Sequence, residues 1–547
     1  MALYGPEPVD TGAAGGIPLE RCETRPATEV HRANTTTNQH IADQRVVFIL
    51  VTCKSFESVD IVAARLYESR ALLQPELNVT PARARQWPES GVIDVFGLTV
   101  QPRKSRETEE ALVHFLPRLR SRGDPATDMP DSSEEKVLSR PLEGLTVLDM
   151  TIALAGPFAT FLLAGLGARV IKLENPIDGD PCRSNAPYLG VDGATLTKRH
   201  ADDISISALN RLRGKLGITL NLKHQRAREI LTDLVRRADI LVENFSRGTL
   251  ERLGAGYNQC KEINPRIVYC SISGFGGEGE AGSGKAMDTI IQALSGFMLI
   301  SGRVADPPIR FGLPLADLCA PLFGVIGILA ALRHLERTGK GQNVDVSMLG
   351  VLTMMLASEP YDILERCGIP QRTGDTVPRL APMGIYPTQN GYVAICAPTQ
   401  AFAKALFEAM EKPEWITDPR FATRDSRVRN VDELDTLVRR FTSSMPTHEL
   451  LHRLEQSGVP AAEVRDPATA LRDPQVTARH ETVPLVHPKY GAVDDVIGMG
   501  IPIKFSNTTA GLDDSAPLLG EHNDFVYGKI LGYTEEKIKE LRLHKVI

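Results

Sequence analysis

Residues 141–174 read PLEGLTVLDMTIALAGPFATFLLAGLGARVIKLE. The run GLTVLDM is short and apolar, as suits a buried strand. It leads through Ala155–Gly156–Pro157 into the helical stretch FATFLLAGLG and then into ARVIKLE, a second strand. Strand, helix and strand within about thirty residues form a βαβ unit, which implies a parallel sheet with a right-handed crossover. The pattern continues downstream. From His224 to Ala238, the residues Ile230, Leu231, Leu234 and Val235 share one helical face, and DILVENF follows as a strand. RIVYCSISG is a further strand, Asp288–Leu294 a further helix, and a long helix runs from about Asp317 to Arg337. This alternation predicts an α/β core.

Either side of that core the texture differs. Residues 1 to about 45 are polar and carry the tract ANTTTNQ, a composition that reads as disordered. Residues 46–120 offer a strand at RVVFILV and an apolar-periodic helix around Ile61–Leu73, with no recognisable chemistry. Ser121–Ser139 is rich in Asp, Ser, Glu and Pro and reads as a linker. Residues 1–140 are therefore an N-terminal extension. The large domain starts at 141 and runs to about 356. Between about 372 and 466, MGIYPT and GYVAICA form a hairpin across Gln389–Asn390–Gly391, followed by charged helices. This segment is a candidate smaller α+β domain inserted into the first. Residues 470–547 return to strand and helix pieces through IPIKFS and PLLGEHND, completing the large domain.

Composition excludes some functions. Across 547 residues the hydrophobic share is 42%, the charged share 24% and the formal net charge −6, ordinary for a globular protein. A nucleic-acid or anionic-membrane footprint would need a basic excess. Eight cysteines are scattered without a CxxC pair, which suits reduced thiols rather than a zinc ribbon or redox pair. No apolar run reaches the ~18 to 20 residues that span a bilayer. The longest, Pro321–Leu332, runs into Arg333, His334 and Glu336 and reads as a buried core helix. The first forty residues lack a secretory stretch and are too acidic for a typical transit peptide. A cytoplasmic location is expected, with a mitochondrial one left open.

Three motif matches mislead. Gly274, Gly276 and Gly279 fit GxGxxG, but they lead into more glycine and charge instead of opening a helix. GEAGSGK, residues 279–285, nearly matches a phosphate loop, yet Ala286 replaces the hydroxyl residue that ligates magnesium. His448-Glu449-Leu450-Leu451-His452 fits HExxH without the third ligand that a zinc site requires, so no metal is expected.

Asp317 stands before a long apolar helix in the string RFGLPLADLCAPLFGVIGILAAL. An aspartate there is commonly an N-cap, stabilising by ~1 kcal/mol. The same helix terminus favours the ionised carboxylate, and only that form is nucleophilic.

From Pro141 onward, about three quarters of the chain resembles the class III CoA-transferases. The ordered matches are PLEGLTVLDMTIALAGPFAT, LGARVIKLE with GDPCR, GITLNLK, DILVENFSRGTLERLG, NPRIVYCSISGFG, IIQALSG, LPLADL, GILAAL with RTGKGQNVDVSM, and PLLGEH. The resemblance implies that Asp317 is the catalytic aspartate. It places CoA-contacting positions at Ala155, Leu220, Asn221, Leu222, Lys223, Asn244, Phe245, Ser246, Arg252 and Lys285, with Met287 and Asp288 beside them. Lys223, Arg252 and Lys285 would supply cations for a pyrophosphate and a 3′-phosphate. Asn244 and Phe245, after a buried strand, lie where open α/β sheets bind ligands.

The implied reaction moves CoA between carboxylic acids through an anhydride and an aspartyl-CoA thioester, with acyl-CoA as substrate and no permanently bound cofactor. Oxyanion donors are expected in the glycine loop Gly274–Gly284 or the turn at Met383–Gly384. The resemblance also implies a Rossmann-like large domain and an interlocked homodimer. Related racemases place a histidine before the aspartate matching Asp288. Met287 stands there and cannot take a proton, which disfavours racemisation. Leu154 and Asn175 replace a glutamine and an arginine of formyl-CoA transferase and argue against formyl-CoA and oxalate as the pair. The rival readings are a non-catalytic CoA-binding protein, with residues 1–140 as its interaction module, and a zinc peptidase.

Overall fold

The structure is a computed structural model that describes residues 46–55, 58–67, 93–95, 98–100, 140–280, 285–512 and 514–547. The chain divides into two compact units, Met1–Pro130 and Asp131–Ile547. In the first unit Val46–Ser55 pairs antiparallel with Ser58–Tyr67, and Ile93–Val95 pairs antiparallel with Leu98–Val100. The helix expected around Ile61–Leu73 is thus a strand as far as Tyr67. Val59, Ile61 and Val62 are β-branched, which suits a strand, and pairing with the first strand decides it. The expected linker at Ser121–Ser139 and the polar tract at 1–45 lie outside the described residues.

The second unit is built on six parallel strands: β1 (Thr146–Met150), β2 (Arg169–Glu174), β3 (Lys215–Thr219), β4 (Ile240–Glu243), β5 (Val268–Ser273) and β6 (Asn343–Ser347). Their spatial order is β3-β2-β1-β4-β5-β6, all parallel. This is the doubly wound order in which chain progress reverses between β1 and β4. The quoted βαβ unit is confirmed, with α1 at Ala155–Gly165 between β1 and β2.

Both sheet faces are covered, which explains why the strands read as continuous apolar runs. Val147, Val170, Ile240 and Val268 point into one core, together with α1, α4 (Leu315–Thr338) and α5 (Met348–Leu356). Their neighbours Leu148, Ile171, Leu241 and Tyr269 point into the other, together with α2 (Ala227–Arg237) and the C-terminal helix α9 (Glu535–Leu543). Helix α3 (Asp288–Leu294) packs beside α4 and α5.

Helix α4 differs from the expected core helix. Gly324, Ile328 and Leu332 are buried, but Leu322, Ile326 and Leu329 are 43%, 60% and 39% exposed. By length and composition it is apolar enough to cross a membrane, the only such helix among the described residues. Its other face packs on β5, β6, α1 and α5, as a sheet-covering helix does.

The expected hairpin is present: β7 (Met383–Pro387) pairs antiparallel with β8 (Tyr392–Cys396), and β9 (Ala461–Glu463) completes a three-stranded sheet. Helices α6 (Gln400–Ala409), α7 (Val431–Thr442) and α8 (Thr447–Gln456) close its own apolar core around Tyr386, Phe407 and Leu450. IPIKFS is irregular instead of a strand. Pro502 has no amide to donate, and the local pairing is taken by Ile497–Met499 with Thr482–Pro484.

Candidate active site

The carboxyl ends of β1, β2, β3 and β4 open into a cavity of about 350 Å³, at the reversal of strand order where doubly wound sheets take ligands. Leu220, Asn221, Leu222 and Lys223 line it from the end of β3, and Phe245 and Arg252 line it from the end of β4. Lys223 and Arg252 are exposed cations at its mouth. Asn221 is anchored by its amide, which donates to the Val546 carbonyl at 2.7 Å. Six of the ten expected CoA-contacting positions therefore line this cavity, whereas the other four, with Met287 and Asp288 beside them, do not.

Those four and the two beside them stay out of the cavity for identifiable reasons. The Asn244 carboxamide is engaged with backbone: Oδ1 accepts the Ile152 N–H at 2.8 Å and Nδ2 donates to the Ile152 carbonyl at 2.9 Å. Ser246 is exposed, and its carbonyl accepts the Thr249 amide. Ala155 is buried as the first residue of α1. Lys285 and Met287 are exposed ahead of α3, Met287 at 76%. Asp288 is buried beneath the start of α4.

The loop joining β1 to α1 forms one wall of the cavity through Thr151 and Ile152, and buried charge holds it in shape. Ala153 adopts φ +66°, a left-handed conformation costly for a residue with a Cβ. Its amide donates to Asp180 Oδ1 at 3.1 Å, and its carbonyl accepts Arg211 Nη1 at 3.1 Å. Below, the Lys172 ammonium donates to the Thr151 carbonyl and lies 3.0 Å from Asp180 Oδ2. Lys215 reaches Asp149 at 2.9 Å and Thr160 at 2.7 Å. Burial alone would raise the Asp149 carboxyl, but Lys172 and Lys215 on either side hold it well below the usual carboxylate range. Glu174 binds Arg183 through both oxygens, at 2.8 and 2.7 Å. Gly156 allows the close approach of this loop, because a Cβ there would sit 2.3 Å from the Thr151 Cβ.

Asp317 lies outside the cavity, in the first turn of α4. It is not the N-cap. The helix begins at Leu315, Pro314 occupies the cap, and no side chain caps it from that position. Among the described residues the half-buried Asp317 carboxylate has no hydrogen-bond partner. Burial and the neighbouring Asp288 carboxylate raise its pKa to about 6, against the pull of the Arg211 guanidinium. Pro321 cannot supply the amide that would ordinarily bond the Asp317 carbonyl four residues earlier. Arg211 donates to the cavity loop at Ala153, and its charge also reaches Asp317, drawing that carboxyl's pKa down. Reading the sequence missed Arg211, one of three cations in NRLRGK with nothing in the spacing to single it out.

The Met383–Gly384 turn expected to donate to an oxyanion is instead inside β7, bridged on its other side to Thr376. In the glycine loop, the Gly276 amide donates to Ser273 at 3.0 Å and the Gly277 amide to Asp345 at 2.7 Å. Residues 281–284 lie outside the described residues. His448, Glu449 and His452 are exposed on α8, His452 beside Gln456 at 2.9 Å, and among the described residues no group of metal-ligating side chains forms.

Comparison with known proteins agrees with this architecture. Residues 142–523 match the model of CoA-transferase family III. The chain is similar to the acetyl-CoA:oxalate CoA-transferase of Acetobacter aceti, 38% identical over 387 residues, covering 70% of this chain and 93% of that one. It is also similar to the succinyl-CoA:mesaconate CoA-transferase of Haloarcula marismortui, 37% identical over 385 residues, covering 70% and 94%. Among solved structures, a CaiB/BaiF family protein from Brucella suis superposes with a TM-score of 0.62 at 32% identity, covering 72% of this chain and all of that one. With two thirds of the chain inside the family match and a six-stranded sheet in the doubly wound order, this protein belongs to CoA-transferase family III.

Proposed function

We propose that the chain moves CoA from an acyl-CoA to a small dicarboxylic acid through a thioester on Asp317. The observation that carries this reading is the Asp317 carboxylate. It sits in the first turn of a long helix, without a hydrogen-bond partner among the described residues, and faces one cation. The helix terminus favours its ionised form, and a pKa near 6 leaves it ionised at neutral pH yet more basic than an ordinary aspartate.

The carboxylate attacks the donor thioester carbonyl and expels CoA thiolate, forming a mixed anhydride. Thiolate then attacks the aspartyl carbonyl of that anhydride, releasing the donor acid and leaving aspartyl-CoA. The acceptor carboxylate attacks that thioester and again expels thiolate, which returns to the acceptor's acyl carbon and frees Asp317. Acyl activation is conserved throughout, so no ATP is consumed. CoA enters as substrate, its phosphates directed to Lys223 and Arg252 at the cavity mouth. The acceptor acid brings a negative charge beside the Asp288 carboxylate, Asp317 being a thioester at that point. Arg211 is the cation placed to offset it.

Oxalate and mesaconate, the acids in the names of the two relatives, are both small dicarboxylates. Leu154 and Asn175 argue against oxalate, and the first relative argues for keeping it among the acids tested. Acetyl-CoA and succinyl-CoA, each offered with oxalate or mesaconate, test the proposal. New acyl-CoA should form with the wild type and be lost with Asp317→Ala. Unchanged turnover in that variant would overturn the reading. A second copy of the chain is proposed to cover the exposed apolar stripe of α4.

A further inference from the structure

Gln292 in α3 has no exposed surface. A carboxamide buried so completely is destabilising unless its polar atoms are partnered, and here two of its three partners lie on the segment leading into α4. Gln292 Oε1 accepts the Phe311 amide at 3.0 Å, and Nε2 donates both to the Leu313 carbonyl at 3.0 Å and to Asp288 Oδ2 at 2.8 Å. The other oxygen of Asp288 accepts the Ala316 amide at 2.8 Å. Ala316 is the second residue of α4 and directly precedes Asp317. Two side chains one turn apart on α3 thus fix residues 311, 313 and 316. They also satisfy an amide that Pro314 in the cap position does not reach with its side chain.

We propose that this Gln292–Asp288 clamp is the positioning device of the transfer reaction, aiming the Asp317 carboxylate by fixing the first turn of its helix. Its role rests on Asp317 being the nucleophile. Both Asp288 oxygens are committed to donors, so Asp288 acts through Asp317 and not on the substrate. The charged groups facing Asp317 are Asp288 from α3 and Arg211 from the short helix Ile206–Arg211, with the Cys319 thiol two residues along its own helix.

Two variants test the clamp. Gln292→Met keeps the bulk and removes the three hydrogen bonds. It should lower kcat about 10²-fold, the effect of displacing a reacting group by roughly 1 Å, with KM for acyl-CoA unchanged. Asp288→Asn keeps an acceptor for Ala316, removes the charge, and sets its Nδ2 against Gln292 Nε2, so the hydrogen bond between the two side chains is lost as well. The acid limb of its kcat–pH profile should move to lower pH, which a purely structural residue would not cause. Wild-type kcat in Gln292→Met, or an unmoved acid limb in Asp288→Asn, overturns the clamp, and the second variant decides alone if the first does not fold. If the wild type forms no thioester on Asp317, nucleophile and clamp fall together. If it does and both variants match it, only the clamp falls.

Discussion

At Asp317 the proposed role as nucleophile runs against stability. Its pKa of about 6 in the folded chain lies above the ~3.9 of an unfolded aspartate, so the folded state holds the proton more tightly. The stability linked to this group is complete below pH ~4 and is lost as pH rises through about 6. Asp317→Asn should therefore abolish transfer while stabilising the fold at pH 7 by about 1–3 kcal/mol. The gain should vanish below pH ~4 in denaturant midpoints, and equal midpoints at pH 7 would contradict the burial argument. Arg211→Ala should raise KM for the acid about tenfold or more, as expected for a lost charged hydrogen bond, and by more than it raises KM for acyl-CoA, whose cavity loop Arg211 holds at Ala153. Equal changes in both constants would place Arg211 elsewhere in the reaction. Asp317 was legible because it opens a long apolar helix in a recognisable string. Arg211 and Gln292 were not, because their partners lie far off in sequence, at Ala153 and at Phe311 and Leu313.

Among the elements, those buried on both faces were the readable ones. GLTVLDM, ARVIKLE and DILVENF are largely apolar, as strands covered on both faces tend to be, and their boundaries fall within a residue or two of β1, β2 and β4. The charges inside these strands and β3 were opaque. Asp149, Lys172 and Lys215 point toward α1, and their meaning depends on Asp180 and Thr160 arriving from other segments. Lys172→Met should leave Asp149 and Asp180 without one of their cations and release the Thr151 carbonyl. Loss of one partner from a buried ion cluster costs about 3–5 kcal/mol, visible as a lowered midpoint in chemical denaturation. A loss below about 1 kcal/mol would mean the cluster is not structural, since that is the value of an exposed pair. Helix α4 was legible in its extent but not in its exposure, since Leu322, Ile326 and Leu329 look the same in sequence whether or not a partner covers them.

At the scale of the molecule, the strand order puts the cavity mouth at the ends of β1 to β4, and Arg211, bonded to the cavity loop at Ala153, is the cation whose charge reaches Asp317. The stripe Leu322, Ile326, Leu329 has the i, i+4, i+7 spacing of one helical face. Light scattering should show wild type as a dimer and Ile326→Glu shifted toward monomer, whereas a monomeric wild type would remove the proposed second copy. The central claim is the covalent intermediate, and peptide mass spectrometry after incubation with acetyl-CoA or succinyl-CoA tests it most directly. A CoA adduct on the peptide carrying Asp317, converted to a hydroxamate by hydroxylamine and absent in Asp317→Asn, is the predicted result. Acyl exchange proceeding with no adduct on Asp317, or with the adduct on another residue, would contradict it.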